Sequence, residues 1–206
     1  MRPANNTGKR SIGVLALQGA AAEHIEAARK LGFAGLPIKT PVELERADAL
    51  IIPGGESTAI SRLIQKNGLF EPIRTFAKER PVFGTCAGLI LCGSTILGQE
   101  EARLKVEPLR LMESTVSRNG FGRQVDSFET VLDIEGIGPG VPGVFIRAPY
   151  IEEVGPGVKV LARLQHPGFD GPKIVMVEYG NILAASFHPE LTADLRVMEY
   201  FCSRLN

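Results

Sequence analysis

Val82-Phe83-Gly84-Thr85-Cys86-Ala87-Gly88-Leu89-Ile90-Leu91 is the stretch on which the fold turns. The short apolar run 82–84 reads as a strand and the apolar stretch 89–97 as a helix, with Cys86 between them and Gly84 and Gly88 on its flanks. A reactive residue at a tight strand-to-helix turn is a nucleophile elbow, and the glycines keep side chains out of that crowded turn. A thiol there also meets the N–H groups and the positive dipole end of the helix, both of which favour thiolate, the form that attacks a carbonyl carbon. The competing reading, one more small buried hydrophobe, suits an arbitrary cysteine better than one in this setting.

Working outward, the same strand, turn and helix recur on the amino-terminal side. An apolar run at 12–17 ends at Gln18-Gly19 and leads into an Ala-rich helix over 20–31 that stops at Gly32. Another at 49–53 ends at Gly54-Gly55-Glu56-Ser57 and leads into a helix carrying Ile60, Leu63 and Ile64 up to Asn67-Gly68. Short buried strands each followed by a helix predict a parallel sheet covered on both faces, with its site where loops leave the carboxyl ends of the strands. All three glycine-containing turns belong to that edge.

The second half changes character. Strands are expected at 128–134, 144–146, 158–164, 174–179 and 182–187, separated by Gly and Pro turns, as an antiparallel extension of the sheet. Residues 136–143, with four glycines and two prolines, read as a loop. Over 192–206, Leu195, Met198, Phe201, Cys202 and Leu205 repeat at helical spacing, which predicts a closing amphipathic helix with Cys202 in the core. The expected architecture is therefore three-layer α/β/α, a single domain over 11–206 behind a flexible tail at 1–10.

The bulk numbers narrow the function classes. With 206 residues, 44% hydrophobic and 22% charged, the chain can build one sizeable core. Lys plus Arg equal Asp plus Glu, so no net field draws nucleic acid or an anionic membrane, and a small neutral or zwitterionic substrate is easier to accommodate. Cys86, Cys92 and Cys202 form no CxxC pair, so neither a disulfide framework nor a zinc site is expected, and a reducing, cytoplasmic setting is the natural one. Residues 1–10 are polar and lack the apolar core of a signal peptide, and no later apolar run approaches bilayer length, so neither a leader nor a membrane span is expected.

A base for the thiol is offered near the other end, where Phe187-His188-Pro189-Glu190 follows the last strand. If that strand is parallel to the one before Cys86, His188 leaves the sheet on the same edge, and Glu190 can reach back to one imidazole nitrogen. Nucleophile, general base and orienting carboxylate then stand in the relationship of a hydrolase triad. The other two histidines, His24 on the first helix and His166 in a turn, read as surface or packing residues.

With Gly84-Thr85-Cys86-Ala87-Gly88 and Phe187-His188-Pro189-Glu190 together, the chain resembles a class I glutamine amidotransferase domain of flavodoxin-like fold. Leu17-Gln18-Gly19, Pro53-Gly54-Gly55-Glu56-Ser57-Thr58, the stretch from Arg118 to Gln124, Val144-Phe145-Ile146-Arg147-Ala148-Pro149 and Ser186 to Thr192 narrow this to the family of glutaminase subunits of pyridoxal 5'-phosphate synthases. The resemblance runs from about Ile12 to the end of the chain.

The resemblance implies hydrolysis of L-glutamine by Cys86, His188 and Glu190, with the ammonia passed to a partner synthase subunit. It implies that Gly55, Glu56 and Ser57, with Arg118 and the Ile146-Arg147 pair, bind glutamine, two arginines suiting an α-carboxylate and Glu56 an ammonium group. The same residues have plainer uses, Glu56 or Ser57 as a helix cap and the arginines in solvated ion pairs. The chemistry needs no metal or organic cofactor, but an oxyanion needs donors: the N–H of Ala87 is one candidate, and Gln18-Gly19 or Gly54-Gly55 supplies the other. Docking of the synthase is expected to switch the enzyme on, with the Gln18-Gly19 turn as the moving part. An amidotransferase serving another acceptor, and a non-catalytic regulatory subunit of the same fold, are the rival readings.

Overall fold

The structure, a computed structural model, describes residues 9–100, 102–118, 127–167 and 169–205. Most of the expected tail and residues 119–124 of the Arg118 motif lie outside them. Along the described residues the chain runs β1 (Ser11–Leu15), α1 (Ala21–Lys30), β2 (Ala34–Ile38), α2 (Pro41–Glu45), β3 (Ala49–Ile52), α3 (Ser57–Lys66), α4 (Phe70–Glu79), β4 (Val82–Thr85) and α5 (Ala87–Cys92). It continues through β5 (Thr95–Leu97), β6 (Ser114–Ser117), β7 (Ser127–Ile134), β8 (Gly138–Ile146), β9 (Tyr150–Val154), β10 (Lys159–Leu164), β11 (Lys173–Tyr179), β12 (Ile182–Ala185) and α6 (Arg196–Cys202).

The main sheet has the order β2-β1-β3-β4-β12-β11-β9-β6-β5, with β10 pairing β11. Its first five strands are parallel, and β11 turns back antiparallel against β12. An order of 2-1-3-4-5 for the parallel part is the doubly wound flavodoxin-like arrangement, whose ligands sit at the carboxyl ends of the strands. β1, β3, β4 and β12 are fully buried and read as continuous apolar runs because helices cover both faces.

Side chains alternate between two cores, one on each face. Leu50 and Ile52 of β3 join the core under α3, α4 and α5, whereas Ile51 joins Ile12, Val14, Phe83 and Phe201 on the face covered by α1 and α6. Thr40 opens α2 with a reciprocal capping box to Glu43, and Pro41 sits at the first helical position where its missing N–H costs nothing.

Three expectations are corrected. The helix after Cys86 ends at Cys92, not at residue 97, because Gly93 takes an extended conformation and Thr95–Leu97 pairs with β6 as a strand. Residues 138–143 are not loop but the first part of β8, which forms a separate two-stranded ribbon with β7. Pro139 and Pro142 are tolerated because β8 has β7 as its one ladder partner, so N–H groups on its other edge need no mate. The closing helix is shorter than 192–206, with α6 followed by a 3₁₀ turn at Ser203–Leu205, although Met198, Phe201, Cys202 and Leu205 are buried as expected.

Candidate active site

Cys86 stands between β4 and α5 with φ +50° and ψ −105°, a conformation that costs a non-glycine residue energy and is held by its surroundings. Its N–H donates to Ala185 O of β12 at 2.8 Å. The glycines on either side are required by close approach: a Cβ on Gly88 would lie 2.0 Å from Ile52 O, and one on Gly84 2.6 Å from the Gly88 backbone. The apolar strand β4, the positive φ and the two contacts together raise the thiol at the carboxyl edge of the sheet.

β12 delivers His188 to the same edge, and the His188 N–H donates to Val144 O of β8 at 2.9 Å. Pro189–Leu191 then forms a 3₁₀ turn, which brings Glu190 back so that its Oε1 lies 2.7 Å from His188 Nδ1. Gly54 packs against the other side of the pair: a Cβ there would lie 2.3 Å from His188 Cε1 and 3.2 Å from Cys86 Cβ. Burial alone would lower the His188 pKa, but hydrogen bonding and charge attraction to Cys86 and Glu190 outweigh it and push the value up to about 10. For Glu190 burial raises the pKa, and the hydrogen bond from His188 with the two nearby imidazoles brings it below the ordinary value.

A cavity of about 350 Å³ opens over the thiol. Gln18, Gly55, Glu56, Ser57, Cys86, Ala87, Arg118, Ile146, Arg147 and His188 all line it, while Gly19, Gly54 and Glu190 are not among its lining residues. Ile90 of α5 and Pro149 complete the lining. A volume of this size suits a single small molecule. A larger cleft of about 630 Å³ lies at the opposite edge, where Arg74, Lys78 and Asn181 flank the start of β12, away from the thiol.

Glu56 caps α3, its carboxylate accepting from Thr58 N at 3.0 Å and Ala59 N at 2.6 Å. Arg118 donates to Glu56 Oε1 at 2.8 Å and to Thr58 Oγ1 at 2.7 Å. The cap and the ion pair weighed as plainer uses are thus both present, on the cavity wall. Arg147 is exposed at the end of β8 with φ +41°, and Ile146 O lies 4.0 Å from Cys86 Sγ. Gln18 Oε1 accepts from Glu56 N at 2.8 Å, and Ala20 N donates to Gly54 O at 3.3 Å, so the turns after β1 and β3 are stitched together. Gly19, at φ +98°, is locked there: a Cβ on it would fall 1.9 Å from Gly54 O.

Burial pushes the thiols of Cys92 and Cys202 up to about 12, which leaves them inert. Among the described residues no group of three or more His, Cys, Asp or Glu is placed to hold a metal ion, and no helix is long and apolar enough to cross a membrane. His166 packs between Phe128 and Phe169. His24 is fully buried, the packing alternative of its two readings, with Thr85 and Glu190 as polar neighbours that the sequence did not announce. The available signal was its place on one helical stripe with Ala27 and Ala28, facing the sheet.

The model of the SNO glutamine amidotransferase family matches residues 14–206. The chain is 51% identical over 191 residues, 92% of each protein, to a pyridoxal 5'-phosphate synthase subunit PdxT of Bacillus cereus. A crystal structure of a glutamine amidotransferase is 43% identical and superposes with a TM-score of 0.85 over 94% of this chain and 98% of that one. PurLQS from Thermotoga maritima shares the fold at 15% identity, with a TM-score of 0.70 over 96% of this chain and 99% of that one.

Proposed function

The chain belongs to the SNO glutamine amidotransferase family, and from that premise we propose how it acts: it is the glutamine-hydrolysing subunit of a pyridoxal 5'-phosphate synthase, with Cys86, His188 and Glu190 as its hydrolytic relay. The observation that supports the relay is His188, its Nδ1 2.7 Å from the Glu190 carboxylate, lining one cavity with Cys86 and packed with it against Gly54. The Cys86 thiolate attacks the side-chain amide carbon of glutamine. As the tetrahedral intermediate collapses, the C–N bond breaks and the His188 imidazolium gives its proton to the departing nitrogen, which leaves as ammonia. The resulting γ-glutamyl thioester is attacked by water, which surrenders a proton to neutral His188; the C–S bond then breaks, glutamate leaves and the Cys86 thiolate is restored beside the His188 imidazolium.

The raised pKa of His188 keeps that proton on the ring until the leaving group needs it. Ala87 N–H, at the start of α5, is our first oxyanion donor. The second comes from the Gly54-Gly55 turn, which touches both Cys86 and His188, whereas Gly19 lies one layer further out, behind Gly54 O. Gly55, Ser57, Ile146 and Arg147 hold glutamine, Arg147, exposed and with no ion-pair partner among the described residues, meeting the α-carboxylate, while Arg118 and Glu56 shape the wall through their ion pair. The synthase subunit docks over this mouth in a hetero-oligomer, where Ile146 and Leu191, the residue after Glu190, expose apolar surface.

The test is ammonia release from glutamine with and without the synthase subunit, repeated after alkylation of Cys86. Stimulated release that alkylation abolishes supports this reading. A complex that releases no ammonia makes the chain the non-catalytic subunit of the rival reading.

A further inference from the structure

His24 reaches the relay from behind. It projects from α1 and is fully buried, as is Thr85, the residue before the nucleophile. Its Nε2 lies 3.1 Å from Thr85 Oγ1 and 3.3 Å from Glu190 Oε2. Burying an imidazole where Ala27 and Ala28 share the stripe costs free energy that an apolar side chain would not, unless polar partners offset it. Glu190 has the complementary need. Its Oε1 is engaged with His188 Nδ1, whereas its Oε2, equally buried, has no hydrogen-bond partner among the described residues and faces the His24 imidazole across 3.3 Å.

Proton placement on His24 follows from its two nitrogens. Nδ1 is buried with no hydrogen-bond partner among the described residues, so a proton there would be an orphaned donor, which makes both the Nδ1–H tautomer and the imidazolium costly. Nε2 faces a carboxylate oxygen, where a lone pair would be repelled and an N–H attracted. Burial, the largest influence, also favours the neutral ring, outweighing the pull of Glu190.

We propose that His24 is a positioning residue for the relay: its neutral imidazole, protonated on Nε2, holds the second oxygen of the Glu190 carboxylate and so keeps the first on His188 Nδ1. Resting on the assignment of Cys86, His188 and Glu190 above, this extends the relay to a fourth side chain that never touches substrate. His24 works one step further out than Glu190. Partners of this outer kind are worth about tenfold to a hundredfold in function elsewhere.

Two measurements test it. In the full chain labelled with ¹⁵N-histidine, ring-nitrogen NMR should show His24 as the neutral Nε2–H tautomer, with His166→Gln used to assign the three rings. An Nδ1–H tautomer or an imidazolium overturns the proposal without any substitution at His24. In the complex, His24→Leu and His24→Met remove the donor but fill the space, and should lower kcat about tenfold to a hundredfold with KM little changed. His24→Gln, whose amide N–H can stand near Nε2, should recover most of the loss, and His24→Leu should add nothing over Glu190→Ala. Apolar variants with near wild-type kcat, or a Gln variant no better than Leu, sink the idea. If the apolar variants do not fold, the tautomer decides. If the wild-type complex releases no ammonia, the hydrolytic reading fails while the tautomer still judges the contact between His24 and Glu190.

Discussion

At the level of single residues, the three members of the proposed relay should not be equally costly to lose. Cys86→Ala removes the bond-forming atom and should lower the stimulated rate by roughly 10⁴-fold or more while the fold survives, since little volume is lost. His188→Asn should cost nearly as much, and Glu190→Gln about ten- to a hundredfold less, because residues acting as a unit fail together and the orienting carboxylate contributes least. Initial rates of ammonia release in the complex give the ranking, and a fully active His188→Asn would require another base. His188 also makes a stability prediction. Its folded pKa of about 10 lies above the ordinary 6.5, so its proton contributes stability that is complete below about pH 6.5 and is lost as the pH rises through about 10. The Tm gap between wild type and His188→Asn should therefore narrow from about pH 6 to about pH 10; a widening gap would mean the imidazole is not protonated in the fold. The residues themselves were legible in the sequence because each sits in a local pattern, an elbow or a strand end. His24 was not, because what gives it meaning are Thr85 and Glu190, distant along the chain and brought in by folding.

Among the elements, the ones the sequence concealed share a cause. β2 carries Gly35 and Pro37, and α4 carries Pro72 in its first turn; both prolines look like breakers, yet an edge strand and a first helical turn are where proline is tolerated. β6 and β9 are short and partly polar, with no period of their own to announce them. The buried parallel strands, by contrast, were plain because continuous apolar runs followed by glycine turns have few other uses. Helix α3 carries the next prediction. Glu56 caps it through Thr58 N and Ala59 N, and Arg118 in turn is anchored on that carboxylate. Glu56→Ala should cost about 1 kcal/mol as a lost cap, lowering Tm by about 2–4 °C, and should raise KM for glutamine as Arg118 swings free. A thermal melt with a substrate titration reads both. An unchanged KM beside a lowered Tm would leave Glu56 a cap and nothing more.

Across the whole molecule, the site gathers the carboxyl ends of β1, β3, β4, β6, β8 and β12, and the contacts between the first two suggest how a partner reaches the chemistry. The turn after β1 is held to the turn after β3 by Gln18 Oε1 on Glu56 N and by Ala20 N on Gly54 O, and Gly54 lies against Cys86 and His188. A synthase subunit that moves residues 18–20 would thereby move the Gly54-Gly55 peptide, our second oxyanion donor, without touching the thiol. One such donor is worth roughly 10²- to 10³-fold in rate, enough to separate an idle subunit from a working one. Gly19 is the joint of this linkage. It holds φ +98°, which a β-branched residue adopts only under strain, and its missing Cβ leaves room for Gly54 O. Gly19→Val should therefore push the Gly54 carbonyl aside and depress the stimulated kcat about a hundredfold, while the rate of the isolated chain, which no partner drives, changes less. Steady-state rates of both proteins, alone and with saturating synthase, decide the matter. An isolated wild-type chain already working at the rate of the complex, or a Gly19→Val chain stimulated as well as wild type, would show that the partner acts by another route.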